Sequence, residues 1–219
     1  MEIVFQDSEK WIVCKPPELV SESTPNRNGL ADLLAEQNGG YVGVIHRLDR
    51  GVGGLMLYAK TPAAAAKYTA MVQSGSLRKE YIALLTGKVA PTGELRDLLY
   101  YDRVRNKVFP VERKRRGVKE AILQYRVEKS GQLPGIGEFS LVSVLPITGR
   151  THQIRVQFAS RKTPIVGDRT YGGPAFSEWT SGGRILLACE RLTLSTQEGE
   201  TVFARTPSWI DQLSDLIRT

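Results

Sequence analysis

Two neighbouring stretches, VKEAILQYRVEKS (118–130) and GEFSLVSVLPIT (137–148), read as long paired strands with a Gly/Pro-rich turn between them. A hairpin of that length needs partners to bury its apolar face, so it limits what the rest of the chain can be. EIVFQD (2–7) and KWIVCKP (10–16) read as strands around a turn at Asp7-Ser8, and GLMLYAK (54–60) as a buried strand. LRKEYIALLTGKV (77–89), RILLACERLTLST (184–196) and ETVFAR (200–205) are further strands.

Helices are fewer. Leu30, Leu33 and Leu34 share one helical face within 28–40, with Asn28 as the expected N-cap and Gly39 as the stop. Thr61-Pro62 supplies a cap and a first helical residue for a helix that ends near Gly75. SWIDQLSDLI (208–217) closes the chain as a helix. Strands outnumber helices, and most neighbours can pair through short turns. The pattern predicts an α+β fold with flanking helices on a mixed, mainly antiparallel central β-sheet, rather than a repeating βαβ order. At 219 residues the chain is one large domain or two small ones, and a single domain, 1–219, is the expectation.

The net charge of +7 is local. Residues 103–119 hold eight Lys/Arg and one acid, whereas the remaining chain balances. This segment lies between strands as an extended loop or hairpin; it is either a patch that attracts polyanions, nucleic acid first, or a solvated hairpin tip that binds nothing in particular. Within it, Arg113, Lys114, Arg115 and Arg116 are candidates for contact with a nucleic-acid backbone. Cys14 and Cys189 are far apart, which fits reduced thiols in a cytoplasmic setting. With His46 and His152 they form no clustered metal-ligand spacing, so no metal is expected. The absence of a long apolar run argues against a membrane partner.

Three polar stretches are denser than a fold requires: HRLDRGVGG (46–54), RKEY (78–81) and TGRTHQIRVQFASRKTPIVGDRTYGG (148–173). In the first, Asp49 lies between Arg47 and Arg50, and arginines keep a carboxylate ionised and held. Its glycines would let a substrate approach closely. In the third, Gly149-Arg150 makes a turn and Thr151 can cap a helix beginning near His152, with Ile154 and Phe158 facing the core. Arg155 then lies on another face, as an ion-pair partner for Asp49 or a phosphate clamp; alternatively, His152 and Arg155 are exposed helix residues. Tyr81, at the start of a strand, is either core packing or a platform for an extruded base.

Taken together these stretches resemble the RluA-type pseudouridine synthases. HRLDRGVGGLMLYAK resembles their His-Arg-Leu-Asp signature, KPPELV their Lys-Pro segment and LRKEYIALLTGKV the strand with their active-site tyrosine. GRTHQIRVQFAS followed by PIVGDRTYG resembles their arginine-bearing motif, and RILLACERLTL their late leucine-bearing strand. The resemblance implies isomerisation of uridine to pseudouridine in ribosomal or transfer RNA, without metal or organic cofactor. It implies Asp49 as catalytic nucleophile or base, Arg155 as its partner, and Tyr81 packed against the target base. His46, Arg47, Leu48, Arg50, Arg150, His152 and Leu187 are expected around the substrate. No N-terminal S4-type RNA-binding domain is expected, and a monomer is the default. The chain departs from the family where hydroxyls are usual, at Val52-Gly53, and where histidines are usual, at Gln157 and near Ala188.

Overall fold

The computed structural model describes residues 1–24 and 27–218. In chain order its elements are β1 (Glu2–Gln6), β2 (Lys10–Lys15), α1 (Leu30–Asn38), β3 (Gly43–Val44), β4 (Gly53–Ala59), α2 (Pro62–Ser74), β5 (Leu77–Thr86), β6 (Thr92–Asp102), β7 (Lys107–Val111), β8 (Val118–Leu133), β9 (Gly137–Pro146), α3 (Gln153–Ala159), β10 (Leu187–Thr196), β11 (Gly199–Ala204) and α4 (Ser208–Arg218). The fold is α+β, and no described helix is long and apolar enough to cross a membrane.

The chain divides into two compact units. The first comprises Met1–Lys79 and Ala188–Pro207, and the second Glu80–Leu187 with the α4 segment. In the first unit the strand order is β1-β2-β4-β10, with β3 also on β4 and β11 on β10. The β1–β2, β2–β4 and β10–β11 pairs are antiparallel, and β4–β10 is parallel. Ile12, Val13, Leu55, Leu57 and Tyr58 form its buried centre. The β1–β2 turn is held by Asp7, whose Oδ1 accepts from the backbone N–H of Glu9 and of Lys10.

The helix ends follow from local chemistry. Thr61 Oγ1 accepts from Ala64 N, Pro62 opens α2, and Gly75 closes it at φ 76°. Gly39 closes α1 in the same left-handed conformation. The start of α1 differs from expectation: Gly29, not Asn28, is the N-cap, and the Asp32 carboxylate accepts from Gly29 N. A carboxylate one turn inside the helix replaces the amide outside it.

In the second unit the order is β5-β9-β8-β6-β7, all antiparallel. The predicted hairpin is β8–β9, with Leu133 opposite Gly137 at its turn. Strand β6 was not legible in the sequence, because only Leu95 and Leu99 of its eleven residues are buried hydrophobics. Its antiparallel partner β7 runs through the basic segment, so 103–106 is a hairpin tip and 112–117 the link to β8. Strand β10 begins at Leu187, so 184–186 stay outside it.

Candidate active site

The loop that carries Asp49 is fixed by the segments around it, all within the first unit. His46 is buried, and its Nε2 accepts from Leu57 N at 3.1 Å. Burial, with the Lys79 charge adding to it, holds its imidazole well below the usual histidine range. Leu48 is clasped by Ser21, whose Oγ donates to its carbonyl and accepts from its N–H. Asp49 O accepts from Val52 N, closing a tight turn directly after the carboxylate. Asp49 itself is half-buried. Arg50 O receives Glu18 N at 2.7 Å, while Arg50 Nε donates to Glu18 O. Arg47 is exposed and paired with Glu22.

Beneath this loop lies Lys15, fully buried. Its Nζ donates to the carbonyls of Pro16 and Leu19, at 3.0 and 2.7 Å, and more weakly to that of Arg50 at 3.4 Å. Burial lowers its pKa to about 8, opposed by the negative charge of Asp49. The lysine ties the end of β2 to the carboxylate loop, a role the sequence signals only through the Lys-Pro pair.

Gly53 and Gly54 serve the protein's own packing. Gly54 has φ 111°, and a Cβ there would lie 2.2 Å from Cys189 O. Only glycine lets β10 come alongside β4 at this point. Gly53 packs against the Pro17 ring, where a Cβ would meet Cδ at 3.2 Å, and Val52 is buried. The Val52-Gly53 departure therefore replaces hydroxyls with apolar packing.

In the second unit, Arg155 rides on α3 and is buried, which removes the exposed-helix alternative. Its Nε donates to Asp168 Oδ2 at 2.7 Å and Nη2 to Asp168 Oδ1 at 2.9 Å. Its guanidinium also lies 5.2 Å over the Tyr171 ring. Tyr171 OH accepts from Val108 N and sits 2.9 Å from His152 Nδ1. Asp168 and Tyr171 carry no assignment from sequence, although both stand in PIVGDRTYGG. The signal is that an arginine flanked by core residues Ile154, Val156 and Phe158 must find a carboxylate.

Thr151 does not cap α3. His152 occupies the N-cap with φ 52°, and no side chain caps the helix. Gln153 closes the turn instead, its Oε1 accepting from Arg150 N and Thr148 Oγ1. Arg150 Nε donates to Glu120 O. Gln157 is buried and donates through Nε2 to Asp97 Oδ2, Leu95 O and Ala121 O on β6 and β8, while its Oε1 is buried with no hydrogen-bond partner among the described residues. Tyr81 stands inside β5, opposite Val144, and is buried. Leu187 opens β10 and is also buried. Arg113, Lys114, Arg115 and Arg116 are all exposed on the link to β8. Among the described residues no cluster of three or more His, Cys, Asp or Glu could hold a metal ion.

The chain thus combines an α+β sheet with a pinned carboxylate loop in one unit and a buried arginine–carboxylate fork in the other. A family profile described as RNA pseudouridylate synthase matches residues 9–160, and the chain belongs to that family, in its RluA-type branch. It is 30% identical over 183 residues to the ribosomal large subunit pseudouridine synthase D of Xylella fastidiosa, covering 79% of this chain and 52% of the relative. It is 28% identical over 234 residues to the tRNA pseudouridine synthase C of Pasteurella multocida, covering 98% and 95%. The chain spans little more than half the length of several of these curated relatives, the Xylella protein among them. The human RNA pseudouridylate synthase domain containing 4 protein shares the fold with TM-score 0.77 at 22% identity, over 99% of this chain and 93% of that one.

Proposed function

We propose that this chain is an RNA pseudouridine synthase that isomerises uridine in ribosomal or transfer RNA, acting as a cytoplasmic monomer built as one catalytic domain. The family match over residues 9–160 carries this reading. Relatives named for ribosomal RNA and for transfer RNA support both substrate classes.

Asp49 is proposed as the catalytic carboxylate, Arg155 as its ion partner and Tyr81 as the residue that packs against the target base. Leu187 would line the pocket, and His46, Arg47, Leu48, Arg50, Arg150 and His152 would surround the substrate. The local geometry supports some of these roles more than others. Asp49 is held on a turn fastened by Ser21, Lys15 and Glu18. Arg155 has its guanidinium plane set by Asp168. His46 and Leu48 are buried, and their bonds to Leu57 N and to Ser21 Oγ also hold the loop.

The reaction breaks the N-glycosidic bond, turns the uracil and rejoins it through carbon. Extruding a stacked uridine first costs a few kcal/mol. Asp49 then attacks the anomeric carbon, attacks ring carbon-6, or removes the 2′ proton. All three routes begin from an ionised carboxylate, and a dry pocket would keep the detached uracil in place until it rejoins.

Asp49→Asn is expected to abolish pseudouridine formation while leaving RNA binding largely intact. Mapping pseudouridine in total RNA from cells with and without the gene, and with the variant, is the test. Full product from the variant would falsify the assignment of Asp49. RNA binding by the wild type with no pseudouridine would favour a non-catalytic RNA-binding protein on the same scaffold.

A further inference from the structure

A groove of about 540 Å³ opens at the tip of the β6–β7 hairpin, wholly within the second unit. Its floor is apolar: Leu99 and Val108, both buried, belong to a cluster with Ala121 and Val156. The rim is basic, with Arg103, Arg116, Lys119 and Arg150. Its one acid, Asp102, is engaged in its own turn, where Oδ1 accepts from Val104 N and Arg105 N and Oδ2 faces Arg105 Nε at 3.7 Å. The wall includes Tyr100 and Tyr101, the latter 37% exposed.

The groove is formed by the packed chain around it. Tyr101 OH donates to Asn106 Oδ1 across the hairpin tip. The Arg115 guanidinium lies 5.1 Å over the Tyr100 ring and fastens the 112–117 link. Arg150 is anchored through Nε to Glu120 O. Of the four consecutive basic residues 113–116, only Arg116 lines the groove.

We infer that this groove binds a single-stranded segment of the substrate RNA outside the target uridine. Cations on the rim fit phosphates, and an apolar floor with an exposed tyrosine fits a base. The volume lies in the ordinary range of small-ligand sites, ~300–1,000 Å³, which suits a nucleotide of an open strand and not a duplex. Single strands are also the form in which RNA bases can be read and stacked. The inference rests on the proposed function only in taking RNA as the partner.

The test is anisotropy of a fluorescent, short single-stranded oligouridylate over a series of NaCl concentrations. Combined Arg103→Gln, Arg116→Gln and Lys119→Gln is expected to lower the slope of log affinity against log salt by about 2, at roughly 0.7 per phosphate contact. Tyr101→Ala is expected to weaken binding about 10-fold at every salt concentration without changing that slope. A control carrying Lys88→Gln, Lys129→Gln and Lys162→Gln, all exposed and outside the groove, is expected to keep the wild-type slope. An unchanged slope in the groove variant, or an equal fall in the control, overturns the inference. Pseudouridine formed by the wild type on RNA from cells lacking the gene separates the two readings. Product with an unchanged slope removes the groove alone; no product with a lowered slope removes the enzyme and keeps the groove.

Discussion

Asp168→Asn is a near-isosteric change that removes one charge from a buried pair. Arg155 and Asp168 side chains are 7% and 1% exposed, and two hydrogen bonds of 2.7 and 2.9 Å join them. An asparagine must turn its NH2 toward either Arg155 Nε or Nη2, so a donor faces a donor. The arginine keeps its charge with no carboxylate at that position, and removing one partner of a buried pair costs about 3–5 kcal/mol. The surviving amide oxygen places the expected loss near the lower end, about 3 kcal/mol. For a chain of this size that is a fall in melting temperature of roughly 6–12 °C, at ~2–4 °C per kcal/mol. Calorimetry measures it directly. The companion is the double variant Arg155→Met, Asp168→Leu, which replaces both charges with apolar groups. Such replacements are often neutral, so it should recover stability to within about 1 kcal/mol of wild type. It should nonetheless form no pseudouridine, because the proposed partner of Asp49 is gone. A loss below about 1 kcal/mol in the single variant, or a double variant no more stable than the single, would refute the reasoning.

Two further perturbations probe the first unit. His46 is held neutral when folded, so the unfolded chain binds the extra proton: stability is complete above the unfolded value near 6.5 and declines as pH falls from there toward the lowered folded value. His46→Gln keeps an acceptor for Leu57 N, and denaturation at pH 7.5 and pH 5 should show the wild type losing up to about 2 kcal/mol more than the variant. Gly54→Ala places a Cβ 2.2 Å from Cys189 O at φ 111°, and should destabilise by more than about 3 kcal/mol in a urea titration. A cost under about 1 kcal/mol would mean that β10 can withdraw from β4 freely.

Much of the fold is legible because its causes are local. Thr61, Pro62 and Gly75 bound α2 by contacts within a few residues, and the β8–β9 hairpin closes through a short turn. Strand β6 escapes notice because much of its surface is solvated, so little apolar periodicity marks it. The loop bearing Asp49 is legible as a motif, yet the bonds of His46 Nε2 to Leu57 N and of Leu48 to Ser21 Oγ are not, because they depend on segments distant in the chain.

The sequence by itself determined most of the strands and helices, though not β6, together with where the excess charge lies and which family the motifs belong to. Each of these depends on residue type and order along a short stretch. Tertiary structure alone decided that Asp168 forks Arg155, that Lys15 is buried under three carbonyls and that Gly54 makes room for β10. Those outcomes hinge on burial and on partners from distant segments. A lysine or an arginine has the same sequence whether solvated or enclosed, and packing alone sets the desolvation that forces it to find a partner.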